Sequence, residues 1–252
     1  MMDLHQAARR AIACLDLTNL NEGCTAEDVD TLCDRADTPH GPTAAVCIWP
    51  HFIDQARLRL ATRGIRIATV VNFPSGMDAI DDVVALTEQA IRDGADEIDT
   101  VIPYPLLLEG HPNEVTASVA RVKEAAGEKQ VKAILETGIL AEEDLIRTAA
   151  RAAIDGGADF IKTSTGKVPV NATLNGARIM LEAIRDSGED VGFKPAGGVK
   201  STADAAAYIS LADEILGEGW ADATRFRIGA SGVLDALLAT LDGRTAAESS
   251  GY

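Results

Sequence analysis

Eight short runs rich in β-branched and apolar residues recur along this chain, and longer amphipathic stretches separate them. The runs are AIACLDL (11–17), AAVCIW (44–49), IRIATVVNF (65–73), DEIDTVI (96–102), VKAILET (131–137), DFIKTST (159–165), VGFKPA (191–196) and RFRIGA (225–230). Most are near-continuous apolar segments, the pattern of a parallel strand covered on both faces. The clearest helical stretches are 77–94, 113–127, 142–157 and 174–188. Apolar residues recur there every three or four positions, as a helix packed on one face requires. Each of the four closes on Gly, a C-terminal stop signal.

Strict alternation of strand and helix predicts an α/β fold with a parallel sheet. Eight units in 252 residues match the size of a TIM (β/α)8 barrel. A doubly wound open sheet is the alternative, but no G-x-G-x-x-G follows the first strand. The expectation is a single barrel domain over 1–252, with a short N-terminal helix and a flexible C-terminal tail over about 244–252.

Composition narrows the function. The chain carries 23 Lys+Arg against 39 Asp+Glu, a net charge of −16, which argues against nucleic acid as a partner. No run approaches the ~18 apolar residues of a membrane span, and the N-terminus lacks the apolar core of a signal peptide. Cys14, Cys24, Cys33 and Cys47 show no C-x-x-C spacing, and His5, His40, His51 and His111 are scattered. No metal site is expected, and a cytoplasmic location with reduced thiols is. Only seven of the 23 basic residues are lysines. Lysine can lose its proton when buried and arginine cannot, so the few lysines draw attention.

The polar residues near the C-terminal ends of the strands are Asp16, Cys47, Asn72, Asp99, Glu136, Lys162 and Lys194, with Gly229 in the last unit. In a TIM barrel that end is the catalytic face. A single Lys–Asp pair there has a structural reading as a buried salt bridge. Two lysines with several acids read better as chemistry, because buried ions are costly unless well paired. DGADEIDT (93–100) resembles GGADFIKT (156–163), which places Asp99 and Lys162 at equivalent points of alternate strands, facing one another across the barrel. Lys162 and Lys194 end neighbouring strands. Two ammonium groups close together in a low-dielectric pocket disfavour double protonation. The neutral amine that results can form a Schiff base with a carbonyl, and Asp99 can accept or relay a proton. This is the logic of a metal-free aldolase with no cofactor. TSTGK (163–167), PAGGV (195–199) and IGASG (228–232) follow the last three strands. Glycine-rich loops there let backbone N–H groups approach an anion, typically phosphate, and Lys167 and Lys200 add charge.

At these residues the chain resembles a known family. LDLT (15–18), VCIWPHF (46–52), VVNFPSG (70–76), EIDTVIPY (97–104), ILETG (134–138), ADFIKTSTGK (158–167), FKPAGGV (193–199) and RIGASG (227–232) look like blocks of the 2-deoxyribose-5-phosphate aldolase family, class I Schiff-base aldolases of TIM-barrel fold, in family order. The resemblance implies reversible cleavage of 2-deoxy-D-ribose 5-phosphate to D-glyceraldehyde 3-phosphate and acetaldehyde, in deoxynucleoside catabolism. It implies Lys162 as the Schiff-base lysine, Lys194 as the lysine that lowers its pKa, and Asp99 as the relay acid. Asp16, Thr18 and Cys47 match positions lining the substrate pocket, and Lys132 matches a lysine near the catalytic acid. Gly166, Lys167, Gly197, Gly198, Gly229, Ser231 and Gly232 match the phosphate set. Many members carry a second serine where Gly232 stands and arginine where Lys200 stands. Tyr252 matches a C-terminal tyrosine that aids proton transfer in some members; a disordered terminus is the other reading. A homodimer is the assembly expected of such barrels. An aldolase of another substrate and a catalytically inert binding barrel are the competing readings.

Overall fold

The computed structural model of the protein describes residues 2–244. Eight strands form one parallel sheet: β1 Leu15–Asn19, β2 Ala45–Ile48, β3 Arg66–Val71, β4 Glu97–Val101, β5 Gln130–Ile134, β6 Phe160–Lys162, β7 Gly192–Lys194 and β8 Ile228–Ala230. They pair in chain order from β1 to β7, and β8 returns to pair with β1. The seam between β7 and β8 is closed by isolated bridges at Phe193–Phe226 and Ala196–Gly229. There the Phe193 N–H donates to Arg225 O at 2.8 Å and the Gly229 N–H to Pro195 O at 2.9 Å. The result is a TIM barrel, with helices between successive strands and the main apolar core between strands and helices.

The helices start and stop where side-chain chemistry dictates. Thr25 and Asp28 form a reciprocal capping box on Ala26–Ala36, and Ser201 and Asp204 do the same on Thr202–Leu216, each satisfying N–H groups that a helix start leaves unpaired. Gly94 and Gly188 end Ile80–Asp93 and Leu174–Ser187 in the left-handed region. The last helix, Val233–Leu241, begins directly after Gly232.

The first predicted strand, 11–17, needs correction. Residues 11–13 end the helix Leu4–Ala13, capped by the Asp3 side chain, and the strand starts at Leu15. The apolar residues Ala7, Ala8, Ala11 and Ile12 are its buried stripe, so a run that looks strand-like alone has helical spacing when read from residue 7. This helix packs against Thr202–Leu216 and Val233–Leu241. Arg10 ties it down, donating to both carboxylate oxygens of Asp213 at 2.7 and 3.0 Å. The last predicted strand, 225–230, pairs continuously only from Ile228. The expectations for Tyr252 and for the tail beyond Arg244 lie outside the described residues.

Candidate active site

The barrel interior is charged where apolar layers are usual. Strand alternation puts Glu97 and Asp99 on one face of β4, and Asp99 is the register partner of Lys132 on β5. Lys162 and Lys194 are register partners on β6 and β7. Asp16, Glu97, Asp99, Lys132, Lys162, Lys194 and Arg227 are all buried.

Asp99 is the hub. Its Oδ2 accepts from Lys162 Nζ at 2.7 Å and Lys194 Nζ at 2.8 Å, and its Oδ1 from Lys132 Nζ at 2.8 Å. The expected facing of Asp99 and Lys162 is thus a direct hydrogen bond. Lys194 also reaches Asp16 Oδ2 at 2.5 Å. A second tier lies below. Arg227 bridges Asp16 at 2.8 Å and Glu97 at 2.9 and 2.7 Å, while Lys132 meets Glu97 at 2.5 Å. Half-exposed Arg66 touches Glu97 from the rim at 3.1 Å.

Four buried bases, Lys132, Lys162, Lys194 and Arg227, therefore crowd around Asp16, Glu97 and Asp99. Lys162 is the one held least firmly in its charged form. Burial pushes its pKa down most strongly, Asp99 pulls it up, and Lys194 pushes it down again, leaving it below the ordinary lysine value. Lys194 and Lys132 feel the same burial, but each contacts two carboxylates at short range, and both end above the ordinary value. Burial raises the Asp99 pKa, yet Lys132, Lys162 and Lys194 together hold it well below the carboxylate range. Burial is thus the first cause of the lowered Lys162 pKa, and the neighbouring lysine adds to it.

Lys162 opens into a cavity of about 740 Å³ at the C-terminal end of the strands. Thr18, Gly166, Lys167, Gly197, Gly198, Lys200, Gly229, Ser231 and Gly232 line the same space, so the three glycine loops converge on one cavity with this lysine. Gly197 and Gly198 have φ of +75° and +85°, a backbone that side-chain-bearing residues rarely adopt. Gly229 has a second reason to be small: a Cβ there would lie 3.0 Å from Lys194 Cε and 2.9 Å from Ala196 Cβ. Lys167 Nζ donates to Leu20 O at 2.7 Å, joining the loops after β6 and β1.

Asp16, Lys132 and Cys47 lie beneath this cavity and do not line it. The first two are bound into the ion cluster. Cys47 is fully buried, and burial pushes its thiol pKa up. Glu97 and Arg227, which the strand-end reading passed over, complete the lower tier. Glu136, at the end of β5, has a left-handed backbone with φ of 58°. Its carboxylate accepts from Thr165 Oγ1 at 2.6 Å, and Thr165 Oγ1 accepts from the Lys167 N–H at 3.0 Å.

The profile of the DeoC/LacD family aldolases matches residues 10–234. The chain belongs to this family. The deoxyribose-phosphate aldolase of Agrobacterium fabrum is 54% identical over 250 residues, covering 98% of this chain and 96% of that protein. The apo-form crystal structure of a candidate deoxyribose-phosphate aldolase from Toxoplasma gondii has a TM-score of 0.88 at 27% identity, covering 96% of this chain and 98% of that one. A third relative, a candidate deoxyribose-phosphate aldolase from Coccidioides immitis, gives 0.83 at 26% identity, covering 93% and 86%. Among the described residues of this DeoC/LacD aldolase, no helix is long and apolar enough to cross a membrane.

Proposed function

We propose that this aldolase reversibly cleaves 2-deoxy-D-ribose 5-phosphate to D-glyceraldehyde 3-phosphate and acetaldehyde through a Schiff base on Lys162. The observation that carries the reading is a buried lysine of lowered pKa at the floor of a cavity walled by three glycine loops. The curated relative, 54% identical over nearly the whole chain, supports the substrate.

The neutral Lys162 amine adds to the aldehyde carbon of the open-chain sugar, and the carbinolamine loses water to give an iminium. The C3 hydroxyl gives its proton to a water in the cavity, the C2–C3 electron pair moves into the iminium, and glyceraldehyde 3-phosphate leaves. Protonation of the resulting enamine at C2 and hydrolysis release acetaldehyde and restore the amine. No cofactor is needed, because the iminium is the electron sink. A carboxylate held as low as Asp99 does not keep a proton at neutral pH. Its part is to pass one along: Asp99 Oδ2 lies 2.7 Å from Lys162 Nζ and takes and returns a proton at that nitrogen, while Lys194 Nζ holds the same oxygen at 2.8 Å. Lys194 also keeps a positive charge beside the reacting nitrogen. The glycine loops, Ser231, Lys167 and Lys200 receive the 5-phosphate. Four free thiols suit the reducing cytoplasm.

Borohydride treatment with acetaldehyde, followed by mass spectrometry, tests the chemistry. An adduct at Lys162 is expected, and no adduct there sinks the reading. Turnover of deoxyribose 5-phosphate against deoxyribose then tests the substrate, and equal kcat/KM for the two refutes the phosphosugar.

A further inference from the structure

The helix Ala26–Ala36 forms one wall of the cavity that the glycine loops line. Its lining residues are Asp28, Thr31, Leu32 and Arg35, one helical face by their spacing. None was singled out by the strand-end reading, and the first three have bland roles. Asp28 is held in the capping box by the Thr25 N–H and Oγ1 at 2.9 and 2.8 Å. Thr31 and Leu32 are wall. Arg35 differs: it is the only guanidinium among the lining residues, in an acidic chain with few cations to spare.

Arg35 reaches across the cavity mouth. One terminal N–H donates to Asp235 Oδ1 at 2.6 Å, and Asp235 lies in the first turn of Val233–Leu241. This helix starts after Ser231 and Gly232, in the glycine loop after β8. The contact therefore holds the guanidinium beside that helix start. Among the described residues Asp235 is the only hydrogen-bond partner of Arg35, so most of its N–H donors remain for a ligand. The corner next to it is empty of side chains: a Cβ on Gly232 would meet nothing within 4 Å. The neighbouring cations are less suited. Lys167 Nζ already gives one N–H to Leu20 O, and it and Lys200 offer point charges where a fork fits phosphate better.

We propose that Arg35 is a phosphate-binding, specificity-determining residue of this aldolase, closing the anion end of the cavity over a phosphate monoester. This rests on the phosphosugar reading above. Arg35 supplies the planar donor fork that Gly232 and Lys200 do not. It also neutralises Asp235, whose negative charge in the first turn of Val233–Leu241 would repel a phosphate.

The test compares wild type with Arg35→Gln and Arg35→Lys, using deoxyribose 5-phosphate, deoxyribose, and inorganic phosphate as an inhibitor of deoxyribose cleavage. In Arg35→Gln, kcat/KM for the phosphorylated sugar relative to deoxyribose falls about tenfold through KM, and the Ki of phosphate rises by a similar factor. Arg35→Lys recovers part of both. Thermal unfolding of both variants checks that the fold is kept. A phosphate Ki within twofold of wild type in Arg35→Gln, or equal losses with both sugars, overturns the proposal. Wild type that does not prefer the phosphorylated sugar refutes the substrate reading instead; the phosphate Ki then still decides Arg35.

Discussion

Lys162 and Lys194 end adjacent strands in register and donate to the same oxygen, Asp99 Oδ2, at 2.7 and 2.8 Å. They nevertheless differ in kind. Lys194 has a second carboxylate, Asp16, at 2.5 Å, whereas Lys162 has none and opens to the cavity. One shared acceptor and one private one separate a permanent cation from an amine that can shed its proton.

Lys162→Arg removes turnover, by about 10⁴-fold or more. A guanidinium stays charged and cannot add to a carbonyl. Steady-state assays and borohydride trapping check this, and residual turnover within tenfold of wild type contradicts it.

Lys194→Leu removes a positive field that lowers the Lys162 pKa, while Asp99 continues to raise it. The acidic limb of the kcat/KM profile moves to higher pH, and kcat at neutral pH falls. The same change leaves Asp16 and Asp99 short of a partner and destabilises by about 3–5 kcal/mol. An unmoved pH profile in protein that still folds removes the field from the account.

Arg227→Met removes a positive charge from Asp16 and Glu97, so the cluster's carboxylates hold the Lys162 proton more firmly. The expected result is a neutral-pH rate loss that is partly recovered at higher pH. A stability loss of about 3–5 kcal/mol accompanies it, measured by urea unfolding. A rate–pH profile parallel to wild type shows that Arg227 does not act on the Lys162 proton.

Glu136→Ala strips Thr165 of its acceptor and loosens the loop that carries Lys167. KM for the phosphorylated sugar rises about threefold to tenfold, with kcat less affected. Glu136→Gln keeps an acceptor oxygen and stays near wild type. Equal effects of the two substitutions would show that the charge, and not the hydrogen bond, matters.

Stability follows pH with two opposed signs. Asp16, Glu97 and Asp99 titrate below their ordinary values in the folded state. Their stabilisation is present above about pH 4 and is lost as pH falls through the lowered folded values. Lys162 is also lowered, but it is a base. The unfolded chain binds its proton more tightly, so stability rises with pH from the folded value to about 10.4. Lys162→Met removes that rise. Urea midpoints between pH 3 and 10 read both effects, and a wild-type curve flat below pH 4 contradicts the first.

Much of this was legible in the sequence, because a charge inside an apolar run stands out. Lys162 in DFIKTST and Lys194 in VGFKPA interrupt buried strands, and a parallel barrel sends those ends to one face. Glu97 and Arg227 carried the same kind of signal, Glu97 two residues before Asp99 and Arg227 between Phe226 and Ile228. Both sit where their strands begin, at the end of the barrel opposite the C-terminal strand ends, so a pattern read from those ends does not reach them. AIA at 11–13 fits either period, and the capping Asp3 assigns it to the helix. The left-handed backbone of Glu136 and the reach of Arg35 to Asp235, 200 positions away, depend on tertiary packing that no local pattern encodes.

The buried ion cluster has a consequence for evolution in the laboratory. Exchanging buried ion networks as a unit for well-packed apolar side chains is often neutral or stabilising. Joint hydrophobic replacements at Asp16, Glu97, Asp99, Lys132, Lys194 and Arg227 are thus a route to a hardier barrel that no longer holds one unprotonated amine among fixed charges. A campaign scored only on heat tolerance would drift toward such inert scaffolds. One scored on turnover must seek its stability in the helices and outer shell, and leave the centre expensive.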